Sequence, residues 1–399
     1  MIGEGAGDYM LELCLCSVIK AIHNIEAEIF VVDNASTDGS KEYFANRFPG
    51  VHFKWSEYNN GFAKANNSVL KETQGDYILF LNPDTFVAED CLELCLSFAS
   101  QQKKFGGLGI RMIDGSGTFL KESKRSFPSP AATFFKVIGI NSLFPGSRIF
   151  SRYYAGHLNQ GLNHEIEVLA GAFMMVHKNA IAKTGGFDED FFMYGEDIDL
   201  SYRIRQAGFC NYYFSGSTIL HFKGESSQQS PHYIKHFYGA MQLFVSKHSN
   251  KNRAVLYTGI TCAKAFANAK QILKNKITIP KKNDDPLRTI AILANQQRFN
   301  KILQLLKFSK KPFIIKGRIS IGEKDADPCI GRLMDMEALI KRKMFNHLVV
   351  TEGSYSFKDI ITLVQKFKKE IVFLFHANES DSIVGSNNKN EKGLFISRQ

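Results

Sequence analysis

Two apolar runs in this chain end in acidic turns. Asp76-Tyr77-Ile78-Leu79-Phe80-Leu81 leads into Asn82-Pro83-Asp84, and Ile29-Phe30-Val31-Val32 leads into Asp33-Asn34-Ala35-Ser36-Thr37-Asp38-Gly39-Ser40. Acidic residues just past the carboxyl ends of apolar strands are where α/β sheets place ligand chemistry. A carboxylate such as Asp84 suits a hard divalent cation, which takes oxygen ligands and bridges one or two carboxylates to substrate phosphates. The plain alternative is a turn acid bonding its own loop. Asp38 has a similar alternative, an Asx turn capping a helix that starts near Ser40. Further on, Glu196-Asp197 opens a helical pattern beside Phe191, Phe192 and Tyr194. A carboxylate partly desolvated there can take a proton; it can equally cap the helix, where negative charge is favourable. His221 follows a strand-like run, the usual place of a satisfied core histidine.

The elements that must position these groups alternate through the first third of the chain. Strand patterns at 28–32, 51–55 and 76–81 are separated by helical patterns at 40–47, 62–73 and 89–101, with Gly75 as a helix stop. That alternation predicts an α/β sandwich with a largely parallel sheet. In Asn60-Gly61-Phe62-Ala63-Lys64-Ala65-Asn66-Asn67, the small residues permit close approach and either asparagine can bond to a ligand; Asn-Gly is also a common turn. Residues 127–163 read as an irregular excursion, and pattern resumes at 168–177 and in a helix over 197–207 closed by Gly208. Arg203 and Arg205 on that helix offer charge to a diphosphate, although Arg203 also stands at helical spacing from Asp199. Gly171, ahead of Ala172 and Phe173, either leaves room for a ligand or is a plain strand-end glycine.

In this order, the Asp33–Ser40 loop, Asn60–Asn67, Asn82-Pro83-Asp84, Gly185-Gly186-Phe187-Asp188-Glu189-Asp190-Phe191-Phe192, Glu196-Asp197 and His221 resemble the nucleotide-sugar-dependent glycosyltransferases of family 2. The resemblance runs roughly over residues 11–224, and linked motifs are more specific than any single one. It implies a GT-A α/β fold, a dTDP- or UDP-linked hexose donor with rhamnose among the candidates, and a surface-polysaccharide or lipid-linked oligosaccharide acceptor. It also implies single displacement with inversion and a Mg²⁺ or Mn²⁺ cofactor. By the same resemblance Asp33, Asp38, Gly61, Asn66, Asn67 and Asp84 belong to the donor-nucleotide site, and Asp84 and His221 to the metal. Gly171, Ala172 and Arg203 face donor sugar or acceptor, while Asp197 is the base with Glu196 its neighbour.

The pattern departs from the family in two places. The family often has two acids at the metal motif, whereas here the first is Asn82. The family also opens with an apolar strand ending near a Tyr-Asn pair, while residues 1–10, ahead of the helix 11–21, hold no β-rich apolar run. A sheet without that strand leaves two neighbouring strands with unpaired edges. The expectation is a chain shortened at its N terminus, or another segment filling the gap. A rival function follows: a catalytically inactive sugar-nucleotide-binding or scaffold subunit of a polysaccharide assembly complex. A nucleotidyltransferase would call for a glycine-rich, lysine-bearing N-terminal loop, and none is seen.

Length and composition frame these readings. The 399 residues suffice for two domains, and 44% hydrophobic with 22% charged residues is ordinary for a soluble globular protein. The seven cysteines show no matched pairs at zinc-site spacing and read as small buried residues of a reducing cytosol. No window reaches the roughly eighteen apolar residues of a membrane span, and the first eight residues lack the basic start and apolar core of a signal peptide. The glycines at 3, 5 and 7 follow no strand and do not read as a phosphate loop. The net charge of +11 is uneven: Pro231 to Asn283 holds ten Lys or Arg and no Asp or Glu. Within it, Ala254–Asn275 reads as a basic amphipathic helix with Val255, Leu256, Ile260, Phe266 and Leu273 apolar. That helix suits peripheral contact with an anionic inner membrane face, or a solvated face on its own domain. No nucleic-acid-binding signature accompanies the charge.

The expected organisation is a GT-A domain over 1–230, a basic helical connector over 231–283 and a smaller Rossmann-like domain over 284–399. The last has strand patterns at 289–293, 313–316, 347–351 and 371–375, with helical patterns at 295–308, 336–343 and 357–369. Its tail from Asn378 to Asn387 is similar to the nucleotide-binding-like domain of some bacterial glycosyltransferases and sugar-phosphate transferases. After its first strand, Ala294-Asn295-Gln296-Gln297 has no glycine to let a backbone approach a phosphate. The expectation is a structural or homo-oligomerisation domain.

Overall fold

The computed structural model describes residues 7–44, 46–128, 143–144, 146–222, 231–249, 253–277, 287–322, 329–378, 380–385 and 394–397. The first sheet is a two-stranded parallel pair, β1 (Ile29–Asp33) with β2 (Val51–Trp55), in register from Ile29↔Val51 to Asp33↔Trp55. The second contains β3 (Tyr77–Leu81), β4 (Thr85–Phe86), β5 (Phe105–Ile113), β6 (His164–Ile166), β7 (Phe173–His177) and β8 (Cys210–His221) in the order β3-β7-β5-β8-β4, with β6 beside β8.

The expectation of a largely parallel sheet is corrected here. Only β5–β8 pairs in parallel; β3–β7, β5–β7, β4–β8 and β6–β8 are antiparallel. β3 and β5 do run in the same direction, as the intervening helix α4 (Cys91–Ser100) requires. β7 arrives from far downstream and inserts between them, so local alternation could not reveal the mixture.

Among the described residues β1 pairs only with β2, and β3 only with β7, leaving each one unpaired edge. Helix α1 (Gly7–Ala21) packs on both sheets. Leu11 and Leu15 cluster with Phe44 and Val51, while Met10, Leu13, Cys14 and Val18 join Phe86, Val87, Cys91 and Cys95. The remaining helices of this part are α2 (Ser40–Phe44), α3 (Gly61–Leu70), α5 (Lys178–Thr184) and α6 (Glu196–Gln206).

Two long helices follow, α7 (Pro231–His248) and α8 (Arg253–Ile277). Leu256, Ile260 and Ala263 of α8 are buried with Ile234, Tyr238, Met241 and Val245 of α7 and with Tyr153. Over that stretch the apolar face is packed on protein; the side chains of Val255, Phe266 and Leu273 lie outside the described residues. No described helix is long and apolar enough to cross a membrane.

The third sheet comprises β9 (Thr289–Leu293), β10 (Ile314–Ser320), β11 (Gly331–Arg332), β12 (His347–Thr351), β13 (Val372–His376), β14 (Ser382–Gly385) and β15 (Leu394–Ser397), in the order β11-β10-β9-β12-β13-β14-β15. β11 to β13 are parallel and the last two strands antiparallel, with helices α9 (Gln296–Leu306), α10 (Met336–Lys341) and α11 (Phe357–Lys366). Strand order reverses at β9, which is the doubly wound arrangement. At that reversal point Arg298 lies against Gly353, where an added Cβ would sit 2.5 Å from its Nη2, and its Nε donates to Asn378.

The last sheet shares its core with the second. Phe86 packs against Phe222, Phe357 and Phe375 with ring centroids 5.3–5.9 Å apart. Glu89 accepts the N–H groups of Phe357 and Lys358, so its carboxylate caps the start of α11.

Candidate active site

The turn between β3 and β4 and the end of β8 carry the two ends of one contact. Register places Thr85 opposite His221, and this brings His221 Nε2 to 3.2 Å from Asp84 Oδ1, although the residues stand far apart in sequence. The backbone locks the pair: Phe222 N–H donates to Asp84 O, and Asn82 N–H donates to Ala172 O. Thr85 Oγ1 donates to Asn82 O, holding the turn. Beneath it lies Cys14, whose thiol is pushed up to about 12 by burial, with the Asp84 charge adding to the shift. His221 Nδ1 is buried and has no hydrogen-bond partner among the described residues. One hard oxygen and one imidazole fit a divalent ion that completes its shell from phosphate oxygens and water; no group of three or more acidic, His or Cys ligands occurs among the described residues.

The β1 loop is built from its own polar groups. Asp33 is buried at the strand end, where Oδ2 accepts the Ser36 N–H and Oδ1 is left with no partner among the described residues. Asp38 Oδ1 accepts from the Ser40 N–H and hydroxyl, so the helix-capping alternative is realised at the start of α2, while Oδ2 is buried with no partner among the described residues. Asn34, which sequence reasoning passed over, accepts the Asn60 N–H at 2.8 Å and donates to Asn59 Oδ1 and Gly61 O. It ties this loop to the start of α3.

Around α3 and the Gly185-Gly186 turn, three of the candidate residues bond or pack within the protein. Gly61 has φ +78°, and a Cβ there would lie 2.6 Å from Phe192 O; the close neighbour is Phe192, whose carbonyl accepts the Phe62 N–H. Gly61→Ala should therefore destabilise the fold by about 1–3 kcal/mol, read as a lower urea midpoint with unchanged slope. Asn67 spends its amide on the Phe187 N–H, Phe187 O and Glu189, so it anchors the 187 loop. Arg203 donates to Asp199, Thr184 O and Gly186 O, which clamps the same glycine turn and leaves little for a substrate. Asn66 donates back to Phe62 O along its own helix.

The α6 start completes the site. Asp197 Oδ2 accepts the Gly171 N–H at 3.1 Å and pairs with Arg125 Nη2, while Oδ1 accepts the Ile198 N–H. A Cβ on Gly171 would meet Asp197 at 3.4 Å, so that glycine gives room to the carboxylate. Gly171 is followed by Ala172, whose carbonyl holds Asn82; the base candidate and metal turn are thus one backbone step apart. Glu196 is buried with Oε2 unpartnered among the described residues. Burial first, and then the Asp197 charge, push its carboxyl up to about 8. Arg125 was missed: nothing in Lys124-Arg125-Ser126 signals a partner 72 residues on.

Most buried polar groups are hydrogen-bonded. Here Asp33 Oδ1, Asp38 Oδ2, Glu196 Oε2 and His221 Nδ1, all on residues singled out from sequence, are exceptions.

The family described as Glycosyl transferase family 2 matches residues 9–185, which includes Asp33 and Asp84 and stops short of Asp197 and His221. The chain is similar to an N-acetylglucosaminyl-diphospho-decaprenol L-rhamnosyltransferase of Mycobacterium tuberculosis, 28% identical over 62% of this chain and 83% of that protein. It is also similar to rhamnosyltransferase WbbL of Escherichia coli, 30% identical over 41% of this chain and 61% of that one. Among solved structures it resembles a mannosyltransferase of Pyrobaculum calidifontis determined with GDP-mannose and Mn²⁺, at 13% identity and a TM-score of 0.42 over 68% of this chain and 72% of that one. A likeness of that size carries no ligand across.

Proposed function

We propose, from the premise that this chain is a glycosyltransferase of family 2, that it moves a hexose from a dTDP- or UDP-linked donor to a lipid-linked or polysaccharide acceptor with inversion. Rhamnose is the first donor sugar to try, because two relatives are named rhamnosyltransferases. The observation that carries the reading is the set of buried, unpartnered polar atoms on Asp33, Asp38, Glu196 and His221. Such atoms are costly unless a ligand completes them. Asp33 and Asp38 would take the base and ribose. Asp84 and His221 would hold Mg²⁺ or Mn²⁺, which when bound neutralises the diphosphate leaving group. Asp197, held in place by Arg125, would accept the hydroxyl proton of the acceptor as it attacks.

The proposed division into domains over 1–230, 231–283 and 284–399 is supported by the separate sheet of residues 289–397, which shares a core with the second sheet. Arg298 at the reversal point supports a structural role for the last part. Peripheral contact with an inner membrane face would rest on the lysines of 231–283, since Leu256 and Ile260 are packed on α7. The unpaired edges of β1 and β3 favour a second reading, an inactive donor-binding subunit. Nucleotide release from a panel of dTDP- and UDP-hexoses, with Mn²⁺ and a prenyl-diphosphate-linked N-acetylglucosamine, separates the two. Acceptor-dependent release supports the enzyme; donor binding with no release from any donor supports the subunit.

A further inference from the structure

Beside Asp197 lies a cavity of about 380 Å³ whose wall includes Arg125, Arg148, Arg152, Arg205 and His157. Two carboxylates share the wall, Glu165 and Glu167, and both are engaged. Glu165 pairs with Arg205 at 2.7 Å, and Glu167 accepts the Phe127 N–H at 2.7 Å. Arg125 is paired with Asp197. Arg148 and Arg152, both exposed at the rim, form no ion pair among the described residues, and Glu167 is the one lining carboxylate without an ion pair there, so the two guanidinium groups outnumber the carboxylate left to face them. Burial, and then the charges of Arg148, Lys124, His164 and Arg152, hold the His157 pKa below the usual imidazole value, which reports the same positive field.

Guanidinium groups meet phosphate oxygens through paired N–H donors, and convergent arginines are the usual solution for a multiply charged oxyanion. Arg125 faces the cavity on one side and Asp197 on the other. An anion in this hollow would therefore sit one guanidinium away from the proton-accepting carboxylate. In the proposed function the donor's own diphosphate has a separate place, at Asp84 and His221.

We propose that this arginine-lined cavity binds the diphosphate of a lipid-linked acceptor, setting the sugar that follows it against Asp197. The inference rests on the glycosyltransferase reading and names the acceptor class for it. It makes Arg148 and Arg152 specificity residues for acceptor, with no part in donor binding.

The test is calorimetric titration of the full chain with geranyl diphosphate in the presence of saturating dTDP and Mn²⁺. Wild type should bind, and Arg148→Gln/Arg152→Gln should bind at least about tenfold more weakly, with dTDP affinity unchanged and Arg→Lys at both positions recovering part of the loss. Equal affinity in wild type and the Gln variant would overturn the proposal. So would a loss confined to vesicles of phosphatidylglycerol in phosphatidylcholine, which would make the arginines a membrane-surface patch. If wild type binds geranyl diphosphate but neither dTDP nor UDP under any metal condition, the cavity assignment stands and the donor reading fails.

Discussion

Asp84→Asn is expected to abolish metal-dependent nucleotide binding and to lower transfer by about 100-fold or more. In the proposed site the aspartate is one of two protein groups that would hold the ion, with His221 Nε2 at 3.2 Å as the other. Asn82 cannot replace it, because its amide is neutral and its N–H serves Ala172 O. The amide at position 84 keeps the shape of the turn, so Thr85 and Phe222 should stay in register. Titration with dTDP or UDP, with and without Mn²⁺, reads the loss directly. Equal affinities with and without Mn²⁺ are expected for the variant. A variant that kept wild-type metal dependence would remove Asp84 from the metal site.

Asp197→Asn should spare nucleotide binding and reduce turnover by about 10²–10⁴-fold, the usual worth of a general base. Its partner at the start of α6 behaves differently. Burial pushes the Glu196 carboxyl to about 8 from its ordinary 4.5, so the folded state binds more protons than the unfolded state between those values. Stability conferred by the protonated carboxyl below about 4.5 is lost as pH rises towards 8. Glu196→Gln should therefore gain stability relative to wild type at pH 9 and differ little at pH 4, as read by urea unfolding at the two pH values. Turnover in that variant should persist at neutral pH. The reverse result, with Asp197→Asn active and Glu196→Gln inactive, would move the base to Glu196. Its unpartnered Oε2 makes that a definite alternative.

The strand-loop motifs were legible because they are local. The Val51–Trp55, Thr289–Leu293 and His347–Thr351 strands lie where their β-rich runs end in turn residues. Asp84 and His221 were paired from motif order alone, and the register of β4 on β8 joins them. What sequence could not show is what each polar side chain spends its bonds on. Asn67 and Arg203 look like ligand groups by type, yet both hold the 186–187 turn. Gly61 marks a close approach, but the approaching group is Phe192. The mixed sheet escaped for the same reason, since β7 enters between β3 and β5 through contacts about a hundred residues apart. Arg125 and the cavity beyond Asp197 are products of that long-range folding.

Among the described residues β1 and β3 each leave one unpaired edge. α1 nevertheless packs on both sheets, and Asn34, Gly61 and Phe192 link the β1 loop to the segment before α6. The β1 loop is therefore tied to α6 and its surroundings by α1 and α3, with no ladder between the first two sheets among the described residues.

The most direct test of the central claim is calorimetric titration of the chain with UDP and dTDP, each with and without Mn²⁺. The account predicts binding of one of the two that is strong with Mn²⁺ and weak without it, through Asp33, Asp84 and His221. Absence of binding by both nucleotides in the presence of Mn²⁺ would contradict it.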